Sequence, residues 1–351
     1  NYILLAETIY QATDGGLDLM ARPGVAAPAT FGARIQIMGE VAPAFSDCAI
    51  DARPDPRWMY YLNRRYEFGL DDYDEVPLEA TVSELPSAMI FGFPNSASEG
   101  ARLEGADFGS AERTWFGDSG VLIGRPGSDG GARLGVAMKG GCNAEMHNHN
   151  DIGSWVAVVE DHPVLLDPGS EVYTARTFSA RRYESDLINS WGHPVPVIGG
   201  SLQEAGEEAR ATVLATDFTD DRDALTIEFS AAYDVPELVR LEREFVYDRT
   251  GEGTFTVSDT VELDEPLSFE TAVITYGEWE QPGEDTLLVR DGGRAVEVTV
   301  DTGGADWELA PDVIDENAKA DGQPTRLGIR LTEPVPEATV TLTVRPVADE
   351  G

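Results

Sequence analysis

The sequence predicts a mainly β protein, a large antiparallel β-sandwich preceded by a few helices. Three observations carry that prediction. Apolar and polar residues alternate over 254–257 and 338–344, the period of a half-buried strand. From about residue 106 onward, short β-prone runs are broken about every 8–15 residues by Gly, Pro and Asp. The chain also holds 36 glycines and 21 prolines in 351 residues, which suits a turn-rich β protein better than a helical bundle.

In chain order, residues 1–20 open with a helical pattern. Ile3, Leu4, Leu5, Ile9 and Tyr10 form its apolar face, and Gly15-Gly16 stop it. A second helix is expected over 57–68, after Pro54 and Pro56. The intervening GARIQIMGEVAPAFSDC reads as either a helix start or a loop. These helices are too few to close an all-α domain by themselves. Residues 1–70 are therefore expected to end a larger helical domain, 71–105 to be a linker, and 106–351 to form the β-sandwich. Within the sandwich, 155–159 and 164–167 are β-prone and should pair as a hairpin. His162 then falls at its tip, exposed and without a role.

Composition excludes some functions. Sixty-four acidic residues against 25 basic give a net charge of −39, so no basic footprint for nucleic acid exists. No apolar run is long enough to span a membrane as a helix. The acidity reads either as a solvated, self-repelling surface or as adaptation to high salt. Of the basic residues only Lys139 and Lys319 are lysines. Cys48 and Cys142 can form at most one bridge and read as two buried free thiols. Compartment is open: secreted, periplasmic and cytoplasmic placement all fit, and nothing bears on oligomeric state.

The chemistry concentrates in residues 142–200. That stretch holds all 4 histidines: His147, His149, His162 and His193. His147 and His149 are two apart, so in an extended segment both would face one cavity. Two histidines and one carboxylate with an open position form a zinc ligand set. Residues 149 and 167 meet only if Gly153 bends the chain, or if they face each other across sheets. A rival set is His149, Asp151 and His193, the two-histidine, one-carboxylate pattern of non-haem Fe(II) oxygenases.

The run NAEMHNHNDIGSW, then LLDPG, then FSARRYES, then NSWGHPVP resembles the core of the heparinase II/III-like proteins, which include heparin, heparan and oligoalginate lyases. Two positions depart from the family pattern. Met146 stands where Pro is usual, and Pro194 follows His193 where Asn is common. The resemblance implies an (α/α) toroid followed by a β-sandwich, with residues 1–20 resembling the last helix of a toroid that precedes them. It implies a polysaccharide lyase acting by β-elimination on an anionic, uronic-acid-containing polysaccharide or oligosaccharide. His147 matches the family's substrate-facing catalytic histidine. His149, Asp167 and His193 match the ligands of a largely structural Zn²⁺. Arg182 and Tyr183 match the RY pair beside the substrate groove, while Arg181 reads as a surface ion-pair partner. The family's catalytic Tyr and its Asn or His partner belong to the toroid. The other class of reading is a non-catalytic, carbohydrate-binding or structural sandwich.

Overall fold

Among the described residues, strand propensity and alternation translate into 19 strands, against four α-helices. The computed structural model describes residues 2–22, 24–75, 85, 89, 91, 112–127 and 131–347. By contacts the chain divides into two compact units. One comprises Asn1–Gln36 and Arg53–Ala111, the other Ile37–Ala52 and Glu112–Gly351.

The first unit carries α1 (Tyr2–Ala12), α2 (Ala26–Ala29), α3 (Phe31–Arg34) and α4 (Pro56–Tyr66). Helix α4 starts where its sequence says it should. The Asp55 carboxylate accepts the Arg57 N–H at 2.9 Å, and Pro56 sits in the first turn, where its missing N–H costs nothing. It ends at Glu67, in the left-handed region at φ 52°. Its buried face presents Tyr61, Leu62 and Tyr66 to Ala6, Met20 and Phe91. The apolar face expected on α1 is different in fact: Ala6 and Glu7 are buried, while Leu5 is exposed. Glu7 tolerates burial because it accepts the Tyr61 hydroxyl at 2.9 Å. Most of the linker expected over 71–105 lies outside the described residues; Asp71–Tyr73 form one 3₁₀ turn.

The second unit is the sandwich. Its first strands are β1 (Arg113–Phe116), β2 (Val121–Gly124), β3 (Leu134–Lys139), β4 (Cys142–Asn143), β5 (Trp155–Val159), β6 (His162–Leu165), β7 (Val197–Ile198) and β8 (Gly206–Arg210). Then come β9 (Thr212–Phe218), β10 (Arg222–Glu228), β11 (Leu238–Asp248), β12 (Thr254–Leu267), β13 (Phe269–Thr275) and β14 (Glu278–Gly283). The last are β15 (Thr286–Asp291), β16 (Arg294–Asp301), β17 (Trp307–Val313), β18 (Thr325–Leu331) and β19 (Val335–Val347). All named pairings are antiparallel. An eight-stranded sheet runs β14-β15-β16-β19-β12-β11-β10-β9. A five-stranded sheet, β1-β2-β3-β5-β6, and a four-stranded sheet, β17-β18-β13-β7, form the other layer. These two meet where the Leu166 N–H donates to the Ile274 carbonyl at 3.1 Å and the Thr275 hydroxyl to Val164 O at 3.0 Å.

One core lies between the layers. Trp155, Val136 and Leu134 from one side pack with Phe245, Phe255 and Val257 from the other. Burial alternates along β12 and β19 as their sequences predict, so one face of the large sheet is core and the other is half-exposed. Strands β3 and β5 are buried at every residue. Their second face is covered by the strap Ile37–Ala52. A Cβ at Gly135 would come within 2.8 Å of Ile37 Cγ2, and a Cβ at Gly39 within 2.7 Å of Asp161 Cα. Of the segment 32–48, which the sequence left between helix start and loop, residues 32–34 end α3 and residues 37–48 lie in this strap. Flanked by α3 and α4 in sequence, it belongs to the β unit in space. Cys48 and Cys142 are free and half-buried rather than fully buried.

Candidate active site and metal centre

The expected hairpin forms between β5 and β6, with Val159 opposite His162 and Ala157 opposite Leu165. Its turn is Glu160-Asp161, so His162 starts the second strand instead of occupying the tip. It is half-buried, faces the Asp291 carboxylate at 3.3 Å and takes no part in the site.

Immediately before β5 the chain reverses. Gly153 adopts φ 90°, a conformation open to glycine, and its N–H donates to Lys139 O at 2.8 Å. The bend places Ser154 where its hydroxyl donates to Asp167 Oδ2 at 2.6 Å. This is how residues 149 and 167 come together despite Trp155 being the nearer hairpin neighbour. From the third segment, Asn189 caps the 3₁₀ turn Ser190–Gly192 by accepting the Trp191 N–H at 2.8 Å. At Gly192 a Cβ would lie 2.1 Å from the Asp186 carbonyl, so this glycine supplies room, not mobility. The turn delivers His193 to Asp167, with Nδ1 to Oδ2 at 2.8 Å.

His149, Asp167 and His193 thus form one cluster, fully buried, with a ligand atom from each within 4.8 Å of the others. Asp167 Oδ1 accepts the Gly169 N–H at 3.1 Å. Burial would raise the Asp167 carboxyl, but the neighbouring His193 outweighs it and holds the pKa below the ordinary value. Burial likewise opposes a proton on His193, and the Asp167 charge overcomes it, so its pKa is raised. Burial dominates at His149 and lowers its pKa, favouring the neutral ring that ligates metals. Two buried ring nitrogens, His149 Nδ1 and His193 Nε2, have no hydrogen-bond partner. Each such orphan costs about 1–3 kcal/mol. Two unpaired imidazole nitrogens beside a buried carboxylate fit a divalent ion of the zinc class.

Asp151 is not in the cluster. Its Oδ1 accepts from buried Lys139 Nζ at 2.5 Å and its Oδ2 accepts the Ser46 N–H at 3.1 Å. The structure brings Asp167, not Asp151, to the two histidines, which removes the geometric basis of the iron-site alternative.

His147 departs from the extended geometry expected of it. It occupies the third position of the turn Glu145-Met146-His147-Asn148 at φ 62°, closed by the Asn148 N–H to Glu145 O at 3.2 Å. A left-handed residue inside an HxH run breaks the extended repeat and leaves the two side chains in unlike settings. His147 is 62% exposed at its side chain, while His149 is fully buried. They still share one partner, Asp47, which sequence reasoning missed. Its Oδ2 lies 3.0 Å from His147 Nδ1 and its Oδ1 lies 3.0 Å from His149 Nε2. Tyr173 donates its hydroxyl to the same Oδ2 at 3.0 Å. Burial alone would raise the Asp47 carboxyl. Hydrogen bonds from His149, His147 and Tyr173 outweigh it and hold the group ionised, far below the usual carboxylate range.

Around His147 the rim is apolar and aromatic. Met146, Val172, Tyr173 and Phe178 are exposed, with the Tyr173 and Phe178 rings meeting edge to face at 5.2 Å. Lys319 Nζ sits 3.8 Å from the Tyr173 ring centroid. Arg182 is half-buried. Its Nη2 donates to Asn148 O at 2.8 Å, while its Nε has no partner. Tyr183 hydrogen-bonds the Asn148 side chain at 3.3 Å. Arg181 pairs with Glu184 at 2.7 Å on the surface, as the sequence implied.

A second residue missed by sequence reasoning supports the site from the core. Arg243 on β11 is fully buried and donates through Nη1 to Gly153 O at 2.6 Å and to Pro194 O at 2.7 Å. Its Nε and other Nη hold Asp259 at 2.6 and 2.7 Å. One guanidinium therefore pins the segments that follow His149 and His193. Its parity in the strand was the available signal: Arg243 falls in step with Leu241, Phe245 and Tyr247, the buried face of β11, although its partners cannot be read from the sequence.

No family model matches the sequence, and no curated protein matches it. Solved structures do. A heparinase III gene product aligns over 99% of this chain and 51% of its own, with TM-score 0.66 and 16% identity. A heparan sulfate lyase from Pedobacter heparinus aligns over 100% of this chain and 52% of its own, with TM-score 0.64 and 13% identity. A further heparinase III structure gives TM-score 0.62 at 13% identity, over 98% and 52%. The chain spans about half the length of the structures it matches. At such identities the likeness is one of fold. Over nearly all of its length, this chain has the fold seen in the structures of heparinase III and heparan sulfate lyase.

Proposed function

We propose that this chain is part of a polysaccharide lyase that cleaves a uronic-acid-containing polysaccharide or oligosaccharide by β-elimination. The observation that carries the reading is the exposed His147, braced by an ionised carboxylate beside a buried His149–Asp167–His193 cluster, on a fold shared with heparan-degrading lyases.

The reaction needs three acts. The sugar's C6 carboxylate is neutralised, which acidifies the C5 proton. A base removes that proton, and the electron pair forms the C4–C5 double bond as the C4–O4 bond breaks. An acid then protonates the leaving O4. With Nδ1 donating to Asp47, which can only accept, neutral His147 keeps its Nε2 lone pair for substrate. Arg182, anchored to Asn148 O through Nη2, and Lys319, over the Tyr173 ring, place two cations near His147 for an anionic sugar. Tyr173, Tyr183 and Phe178 offer aromatic faces to the rings. On this reading a tyrosine from a preceding helical domain completes the chemistry. Zn²⁺ at His149, Asp167 and His193 would tie together the segments that carry the cleft.

The test is to incubate the full-length protein with alginate, heparin, heparan sulfate and hyaluronan, following the absorbance of the unsaturated product. Product from one of them, abolished in His147→Ala with metal retained, supports the reading. Absence of product from all four would sink it.

A further inference from the structure

We infer that Asp47 is the positioning residue of the site: one carboxylate sets the ring orientation of both the candidate base His147 and the candidate metal ligand His149. The His147 half of this inference rests on the lyase reading above; the His149 half does not.

The geometry is specific. Each carboxylate oxygen takes one histidine, Oδ2 at 3.0 Å from His147 Nδ1 and Oδ1 at 3.0 Å from His149 Nε2. An ionised carboxylate only accepts, so both facing nitrogens carry their proton. That leaves Nδ1 of His149 with its lone pair, and this is the buried ring nitrogen without a protein partner. It equally leaves Nε2 of His147 as the lone-pair nitrogen of an exposed ring. A metal-ligating histidine whose other nitrogen donates to a carboxylate is held in one tautomer and made a better donor.

Asp47 is itself held on every side. Its own N–H donates to His147 O at 3.2 Å, and Tyr173 donates to its Oδ2. Ser46, at φ 57°, donates its N–H to Asp151 Oδ2 at 3.1 Å. The Ser170 N–H donates to Cys48 O at 3.2 Å. Gly169 has φ 71°, and a Cβ there would lie 2.5 Å from Cys48 O. The glycine of the DPG run thus leaves room for the strap that brings Asp47 in. Asp151 and Gly169, flanking the histidine pair and Asp167 in sequence, lock the strap from two directions.

The test uses Asp47→Asn, nearly the same shape. An amide offers one acceptor and one donor, so one of the two histidines must change tautomer. Asp47→Ala removes both contacts. Zinc affinity is read by chelator competition. Turnover is read on full-length protein at saturating zinc. We expect zinc affinity about 10–100-fold lower in Asp47→Ala. With zinc saturating, we expect kcat to fall about a hundredfold in Asp47→Ala while KM moves less than about threefold, as for loss of an oriented base. Zinc affinity within twofold of wild type in Asp47→Ala would overturn the His149 half. An unchanged kcat in Asp47→Ala at saturating zinc would overturn the His147 half. Thermal melting of Asp47→Asn within a few degrees of wild type excludes simple unfolding as the cause. If His147→Ala turns over normally, the lyase role of His147 fails, and the zinc measurement still decides the part Asp47 plays at His149.

Discussion

His149 and His193 lie with their ring centroids 5.3 Å apart in a fully buried setting, and each keeps one ring nitrogen without a protein partner. A protein with no ion there would bear two unsatisfied polar atoms in its core. Zinc should therefore stabilise the fold, by about 4 kcal/mol at a thousandfold excess over its dissociation constant. Calorimetry should show a zinc-dependent rise in Tm that a chelator reverses and His193→Ala abolishes. A variant that kept the rise would remove His193 from the metal cage.

The Asp151–Lys139 pair separates two metal assignments. Asp151→Asn should keep the metal, since Asp167 is the carboxylate beside the histidines. It should still cost about 3–5 kcal/mol, because Lys139 is left buried without its countercharge. Burial alone would lower the Lys139 pKa, and Asp151 outweighs it. Metal analysis with denaturation measures both effects, and metal lost with stability intact would revive an Asp151-based site.

Arg243 should couple core stability to site geometry. Arg243→Met strands Asp259 and removes the donor to Gly153 O and Pro194 O, costing about 3–5 kcal/mol. Adding Asp259→Leu should recover much of the stability, as apolar replacement of a buried pair often does. It should not recover zinc affinity, because both carbonyls stay unpaired. Full recovery of zinc binding in the double variant would confine Arg243 to the core.

Acid should loosen the segment that carries Tyr173 and Phe178. Burial would raise the Glu171 carboxyl, but hydrogen bonds from Thr177 and Arg176 outweigh it and hold the pKa below the ordinary value. A depressed folded pKa means the stabilisation is present above the unfolded value, about 4.3, and is lost as pH falls through the folded value. Hydrogen exchange across 171–178 should accelerate over that window, and Glu171→Gln should flatten the dependence. An unchanged acid profile in that variant would rule out Glu171.

Salt should favour turnover of an anionic substrate. A net charge of −39 repels it, and the screening length shrinks from about 10 Å at 0.1 M to about 3 Å at 1 M. We expect kcat/KM to rise with ionic strength from low salt. A steady decline from zero salt would contradict that expectation.

Much was legible in one dimension. Strict alternation in β12 and β19 predicted the sandwich, because a strand buried on one face must repeat every second residue. The crowding of histidine, aspartate and the DPG and RY runs within 142–200 pointed to the cluster, and Gly153 to the bend it requires. The same rule misled at His147. A period of two assumes extended backbone, and one left-handed residue at φ 62° turns that side chain out while His149 points in.

Asp47 and Arg243 were illegible for another reason. Asp47 lies 100 residues before His147, and Arg243 lies 90 after Gly153. Neither belongs to a motif; nothing local distinguishes Asp47 from the many other acidic residues, and the inward parity of Arg243 on β11 gives its burial but not its partners. Sequence by itself determined the strand pattern and which residues could ligate or titrate, since these follow from local periodicity and side-chain chemistry. Only the tertiary structure decided which carboxylate meets which histidine. That pairing depends on a strap crossing the face of a sheet, and on whether a glycine leaves room for it.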